Sequence, residues 1–309
     1  MSRFTRVLKT AGKVVGLLSV AVLVAFILGL LNNNFGRSDY NSEEVEQAYQ
    51  RSVQWLLDNE ERIFAEGLIN PALWWFIRRA ALVSDDPRLV RVFRNYLNSQ
   101  GARLNRLSEA MLMDRRLTDF TLTEMLRGTH LGEIHYYNFL YAYAATCNEN
   151  IGQSNFVRPQ LETNYCLTTK PLSPACITHQ MLGFRLMQLS GCGEPRQLEE
   201  KIRVTGEIVQ RQLTLSPFFS DVYIQRLLML FETGQQQLSR TRWVARFLDA
   251  QRQDGGWPGN WLLVPAGGGR YLSIGHEGVE LGHPPSSFHA TAQGIFLTAY
   301  LRESLAGTE

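Results

Sequence analysis

The sequence predicts an all-α protein, with helices paired into inner and outer rings and preceded by one transmembrane helix. Three observations carry this expectation. No stretch beyond residue 41 holds a convincing apolar–polar alternation, whereas apolar residues recur at helical spacing through most of the chain. Some helices are apolar nearly all round and others carry charge over half their circumference, as enclosed and enclosing helices require. The N-terminus opens with a charge-free run flanked on one side by cations.

That run is Val14 to Leu31, eighteen residues without a charge, and it reaches the length of a bilayer span. Arg3, Arg6, Lys9 and Lys13 precede it with no acidic residue, which keeps the N-terminus on the cytoplasmic side. The expected organisation is a basic tail over 1–13, an anchor over 14–31, a linker over 32–41 and an extracytoplasmic helical domain over 42–309. The localisation expected is the inner membrane, with the main domain periplasmic or extracellular. A cleaved signal peptide competes with this reading. Its apolar core is usually shorter, however, and no small-residue cleavage site follows at Asn32 to Asn34.

The net charge of +2 includes those four N-terminal cations, so the exported part is close to neutral. It offers no basic field for nucleic acid. The partners expected are the membrane, through 14–31, and a membrane or envelope protein.

Helix starts are legible along the domain. Asn70-Pro71, Asp86-Pro87 and Ser216-Pro217 each set a capping side chain before a proline at the first helical position. Glu194-Pro195 opens another. Helices are expected near 42–63, 71–83, 87–99, 103–113, 130–146, 177–190, 196–214, 218–233, 239–252 and 287–304. The helices holding Tyr136 to Tyr143 and Met181 to Leu189 are the apolar, enclosed ones. A solenoid of helix pairs is the competing architecture, but no strict repeat period supports it. Two long loops remain, Asn148 to Ser173 and Pro258 to Pro285, and loops of that length are often lids or binding loops.

One stretch organises the rest. A helix from Trp243 ends at Gln251, breaks into Gln253-Asp-Gly-Gly-Trp-Pro258, and a second helix follows with Phe288-His289-Ala-Thr291 at its start. Gln251 to Trp257 resembles the glutamine–tryptophan repeat of the terpenoid-cyclase and prenyltransferase toroids. Asp254 to Pro258 is similar to a turn in some toroid polysaccharide lyases. Phe288 to Thr291 resembles the segment carrying a zinc-binding histidine in protein prenyltransferase β subunits. The resemblance implies an α/α toroid and no shared chemistry. The Asp-x-Asp-Asp and Asp-Asp-x-x-Asp motifs are missing, and no cysteine follows Cys192 to complete a zinc set. A weaker similarity, in Cys166…Cys176-Ile-Thr-His179…Gly191-Cys192 and the last helix, is to an uncharacterised secreted family and implies no activity.

Four cysteines lie between 147 and 192, a pattern that suits an oxidising compartment. Cys176 and Cys192 flank a helix and would stand roughly 24 Å apart, too far to bridge. Cys166 and Cys176 enclose a loop with two prolines, which favours 166–176 and leaves 147–192. A zinc site competes but lacks Cys-x-x-Cys spacing. No cofactor is expected, because Gly267-Gly-Gly269 lacks the Lys-Ser/Thr of a phosphate loop.

The candidate catalytic residues are His289, His130 and Glu133. His130 and Glu133 share a helix face, whereas His135 lies about 140° away, so the three cannot ligate one ion from a regular helix. His130 with Glu133 forms an acid–base pair on one reading and a hydrogen-bonded core group on the other. His289 opens a helix whose apolar stripe is complete without it, and a neutral imidazole there could act as base or ligand. His179, Asp254, Trp257 and Trp261 are candidate ligand-binding residues. Each has a structural alternative: a satisfied core histidine, a turn former and aromatic packing. Three functions are therefore weighed: a binding or accessory protein, an enzyme on a glycan or lipid-linked substrate, and a scaffold. A cavity lined by converging His and Glu would favour the enzyme and one plugged by Phe and Leu the scaffold, and the most informative observation is whether His130, His179 and His289 converge in one open pocket.

Overall fold

A computed structural model describes residues 3–66, 70–100, 104–125, 134–275 and 278–306. The elements run α1 (Arg3–Phe35), α2 (Ser42–Asp58), α3 (Glu60–Ala65), α4 (Pro71–Ser84), α5 (Pro87–Gln100), α6 (Arg106–Leu112), α7 (Leu122–Met125) and α8 (Tyr136–Thr146). They continue through α9 (Glu149–Gly152), α10 (Tyr165–Thr168), α11 (Cys176–Ser190), α12 (Pro195–Thr214), α13 (Asp221–Glu232), α14 (Thr241–Asp249), β1 (Trp261–Pro265), β2 (Tyr271–Gly275), β3 (Gly278–Gly282) and α15 (Phe288–Ala306).

Three of the four predicted caps set the starts of α4, α5 and α12. Asn70 accepts the Ala72 N–H at 3.1 Å, Asp86 the Arg88 N–H at 2.9 Å and Glu194 the Gln197 N–H at 2.7 Å. Ser216 behaves differently. Its hydroxyl donates to the Phe218 carbonyl, and Phe219 pairs through its backbone with Leu262 of β1. That pairing holds the chain extended, so α13 begins only at Asp221 rather than at 218.

Helix packing closes a circuit, α4 to α15 to α13 to α11 to α8 to α6 and back to α4. Around it, α5 packs on α4, α2 on α15, α12 on α11 and α13, and α14 against α2 and α13. The two helices read as apolar all round, α8 and α11, are both members of the circuit and bury most of their residues. One end of the circuit is filled by charge. Glu232 is buried and accepts from Arg79 at 3.0 Å, from Arg185 at 2.8 Å and from the Tyr300 hydroxyl. Beside it, Asp114 accepts from Trp75 Nε1 at 2.7 Å and pairs with Arg78 at 2.5 Å. Buried ion pairs need further hydrogen bonds to offset desolvation; Glu232 has three donors, whereas Arg79 Nε is buried without a partner among the described residues.

Two expectations are corrected. Among the described residues no helix is long and apolar enough to cross a membrane, which overturns the anchor expected over 14–31. The C-terminal turns of α1 instead engage protein. Phe26 meets Phe218 edge-on, and a Cβ on Gly29 would overlap the Pro217 carbonyl. Asn33 is fully buried, donates to the Leu213 carbonyl at 2.7 Å and accepts from Tyr223 at 2.9 Å and Arg246 at 2.7 Å. Residues 32–35, expected in a linker, thus continue the helix onto the domain.

The second correction concerns 258–285. It contains a three-stranded antiparallel meander, β1-β2-β3, with Trp261 opposite Ile274 and Ile274 opposite Val279. Five-residue strands between glycines give too short an alternation to be told from loop.

The cysteines pair as read: Cys147 with Cys192 (Cα–Cα 5.3 Å) and Cys166 with Cys176 (5.6 Å). Cys147 ends α8 in the left-handed region, and Gly191 ends α11 likewise just before Cys192. The first bridge therefore ties two helix ends together.

Candidate functional site

A cavity of about 510 Å³ opens at the end of the circuit opposite the Glu232 network. All six circuit helices reach it through their N-terminal halves: Leu73 of α4, Ser108 of α6, Tyr137 of α8, His179 of α11, Gln225 of α13 and His289 of α15. This volume falls in the range of small-molecule sites.

His289 is the second residue of α15. Its neighbours Phe288, Ala290 and Thr291 are buried, whereas its own side chain is 51% exposed. Asp221, the first residue of α13, brings Oδ2 to 3.5 Å from His289 Nδ1, while its Oδ1 accepts the Val222 N–H at 2.8 Å. A carboxylate beside Nδ1 orients an imidazole and leaves Nε2 free for chemistry.

His179 lies one turn into α11. Its Nδ1 is 2.6 Å from the Ala175 carbonyl, and its ring stacks on Tyr137 at 4.0 Å. Tyr137 stacks in turn with His135 at 5.3 Å, so three rings form one wall. The His179 pKa is pushed down to about 4, chiefly by burial, with His289 and His135 acting in the same direction and the Ala175 bond and Asp221 against it. The ring is neutral at pH 7. The apolar lining comes from Leu73, Phe76, Met111, Phe120 and Leu182. Tyr141 also lines the cavity, with its hydroxyl buried and without a hydrogen-bond partner among the described residues.

His179 and His289 therefore converge, whereas His130 and Glu133 lie outside the described residues. Asp254, Trp257 and Trp261 do not line this cavity. Trp257 is fully buried, stacks on Phe247 at 4.7 Å, and donates from Nε1 to the Phe247 carbonyl at 2.9 Å. Its backbone N–H meets Thr291 Oγ1 at 3.0 Å, and a Cβ on Gly294 would enter its ring. Asp254 accepts from Trp55 Nε1 at 3.1 Å, from the Gly256 N–H at 3.1 Å and from Ser286 at 2.7 Å. Those bonds engage the carboxylate of Asp254 as the stacking on Phe247 engages Trp257, the contacts of a turn former and a packed aromatic. The turn joins α2, α14 and α15. Trp261 is 41% exposed and packs beside Phe218 on the sheet. No described residue of 258–285 lines the cavity.

Sequence reasoning missed Asp221 as a site residue, because the helix was expected to start at 218 and its first carboxylate was not singled out. Ser220-Asp221 was the available signal, a capping pair at a helix start. Comparison with family models, with curated proteins and with solved structures gives no match.

Proposed function

We propose that this chain is a binding or accessory protein whose helices form an α/α toroid and whose central cavity takes one small ligand. The closed helix circuit, flanked by α2, α5, α12 and α14, supports the toroid reading. The observation that carries the binding reading is a 510 Å³ cavity lined by side chains of six helices, with His179 and His289 on those helices and His135 just before α8. Its mixed lining, apolar with a few convergent polar groups, is that of a ligand pocket rather than a packing defect. The two disulfides support an oxidising compartment outside the cytoplasm, where an envelope protein is the partner expected.

The test is uptake of a neutral solvatochromic naphthyl ketone dye. One dye per chain with blue-shifted emission is expected. Ser108→Trp, which fills the cavity from a half-buried position, should abolish uptake without lowering the melting temperature. Absence of uptake, or uptake unaffected by that substitution, would overturn the reading.

A second reading, an enzyme on a glycan or lipid-linked substrate, is favoured by one observation. The Asp221–His289 contact supplies an oriented general base at the cavity mouth. Turnover lost in His289→Ala and reduced in Asp221→Asn would support it, and unchanged turnover in both would remove it.

A further inference from the structure

The hydrogen bonding of His179 specifies more about the ligand than the cavity's volume does. At 2.6 Å from the Ala175 carbonyl, Nδ1 must carry the proton and donate. A neutral imidazole with its proton on Nδ1 has its lone pair on Nε2. His179 is partly exposed and lines the cavity. Among the described residues nothing donates to Nε2. Nε2 is also not a buried, unpartnered atom of the kind found at Tyr141. The cavity wall therefore carries an acceptor that stays an acceptor at neutral pH, because burial holds the ring uncharged.

Charge in the lining is sparse and already used. Among the described residues no lysine or arginine lines the cavity, so none of them offers a permanent cation to a carboxylate or phosphate ligand. Glu124 pairs with Arg106 at 3.3 Å and accepts the Thr121 N–H at 3.2 Å. Asp221 faces His289. Asn70 and Asn105 turn their side-chain oxygens to the N–H groups of Ala72 and Ser108. The apolar part of the surface includes Leu73, Phe76, Leu107, Met111, Phe120 and Leu182, and uncharged polar groups of Ser108, Asn138, Tyr141 and Gln225 lie among them.

We propose that the ligand is an uncharged, largely apolar alcohol whose hydroxyl donates to His179 Nε2. This inference rests on the binding reading above and adds the ligand's chemical class to it. An ether of the same shape has no proton to give, so it would leave Nε2 unpaired and bind more weakly. A carboxylate would meet a lone pair where it needs a donor.

The experiment compares 2-naphthalenemethanol, its methyl ether, naphthalene and 2-naphthoate by titration calorimetry on the full chain. The alcohol should bind about tenfold more tightly than the ether or the hydrocarbon, a ratio worth about 1.4 kcal/mol, and 2-naphthoate should bind least. His179→Phe keeps a ring to stack on Tyr137. It also leaves the Ala175 carbonyl partnered by the Thr178 hydroxyl at 2.9 Å and the residue-179 N–H at 3.1 Å, so the fold should stand. In that variant the alcohol's advantage over the ether should vanish while naphthalene binds as before. An alcohol-to-ether ratio near one in the unaltered chain, a ratio preserved in His179→Phe, or 2-naphthoate as the tightest binder would each overturn the inference and leave the cavity reading intact. Binding of none of the four would overturn both.

Discussion

His179 and His289 sit in one cavity under different constraints, and this sets opposite expectations for them. The folded-state pKa of His179, about 4, lies below the ordinary 6.5 because burial disfavours the charged ring. Between those values the unfolded chain takes up a proton that the folded chain refuses. The stability contribution is therefore full above pH 6.5 and is lost as pH falls to 4. The loss should be about 2–3 kcal/mol and visible as a lower urea midpoint at pH 4.5 than at pH 7. His289, His135 and Asp221 also face this ring, so the control is His179→Phe, in which most of that dependence should disappear. His289 is half-exposed with one 3.5 Å contact to Asp221, and exposed ion pairs contribute about 0–1 kcal/mol. His289→Ala should thus leave the melting temperature within a few degrees. A large drop would mean that the imidazole is a packing group after all.

At the scale of elements, the Asp254-Gly-Gly-Trp257 turn and the Cys147–Cys192 bridge hold helices in register. Gly255 has φ of +94°, and a Cβ there would overlap the Arg51 carbonyl of α2. Gly255→Ala should therefore cost at least about 1–3 kcal/mol, the usual size of a left-handed strain, and would separate α2 from the turn. Differential scanning calorimetry on the variant checks this. The Cys147–Cys192 bridge closes 45 residues and Cys166–Cys176 only 10. Loop-closure entropy predicts about 4 kcal/mol for the first and about 3 for the second. Cys192→Ser should then accumulate less well than Cys166→Ser, and equal accumulation would argue against the chain-entropy account.

On the scale of the whole molecule, α1 is tied to the domain through Asn33, whose side chain serves Leu213, Tyr223 and Arg246 together. Asn33→Ala leaves a buried phenol and guanidinium without that acceptor. A loss of about 1–3 kcal/mol for each group left unsatisfied follows. Arg246 retains the Pro217 carbonyl at 3.1 Å, so the lower end of that range applies to it. Chemical denaturation of the full chain should show the loss, and proteolysis should cut α1 free sooner in the variant. An unchanged midpoint would mean that α1 folds apart from the domain. At the opposite pole the Glu232 network closes the helix circuit, so the cavity opens at one end, where the helices begin.

The helical class, the capped helix starts at Pro71, Pro87 and Pro195, the two enclosed helices and both disulfides were legible in the chain's local pattern. Each of these is local. A cap acts within three residues, periodicity compares neighbours one turn apart, and helix length alone ruled out Cys176–Cys192. The tertiary structure decided what depends on distant residues meeting. Asp221 reaches His289 across 68 positions of sequence, and Asp254 is occupied by Trp55 from 199 residues away. Trp257 looked the same in sequence whether it stacked on a ligand or on Phe247. The meander was hidden because strands of five residues draw their stability from cross-strand pairing, which no local pattern reports. Likewise, a charge-free run reads as a bilayer span until its last turns are seen bonding to protein, because hydropathy records what a segment avoids and not what it touches.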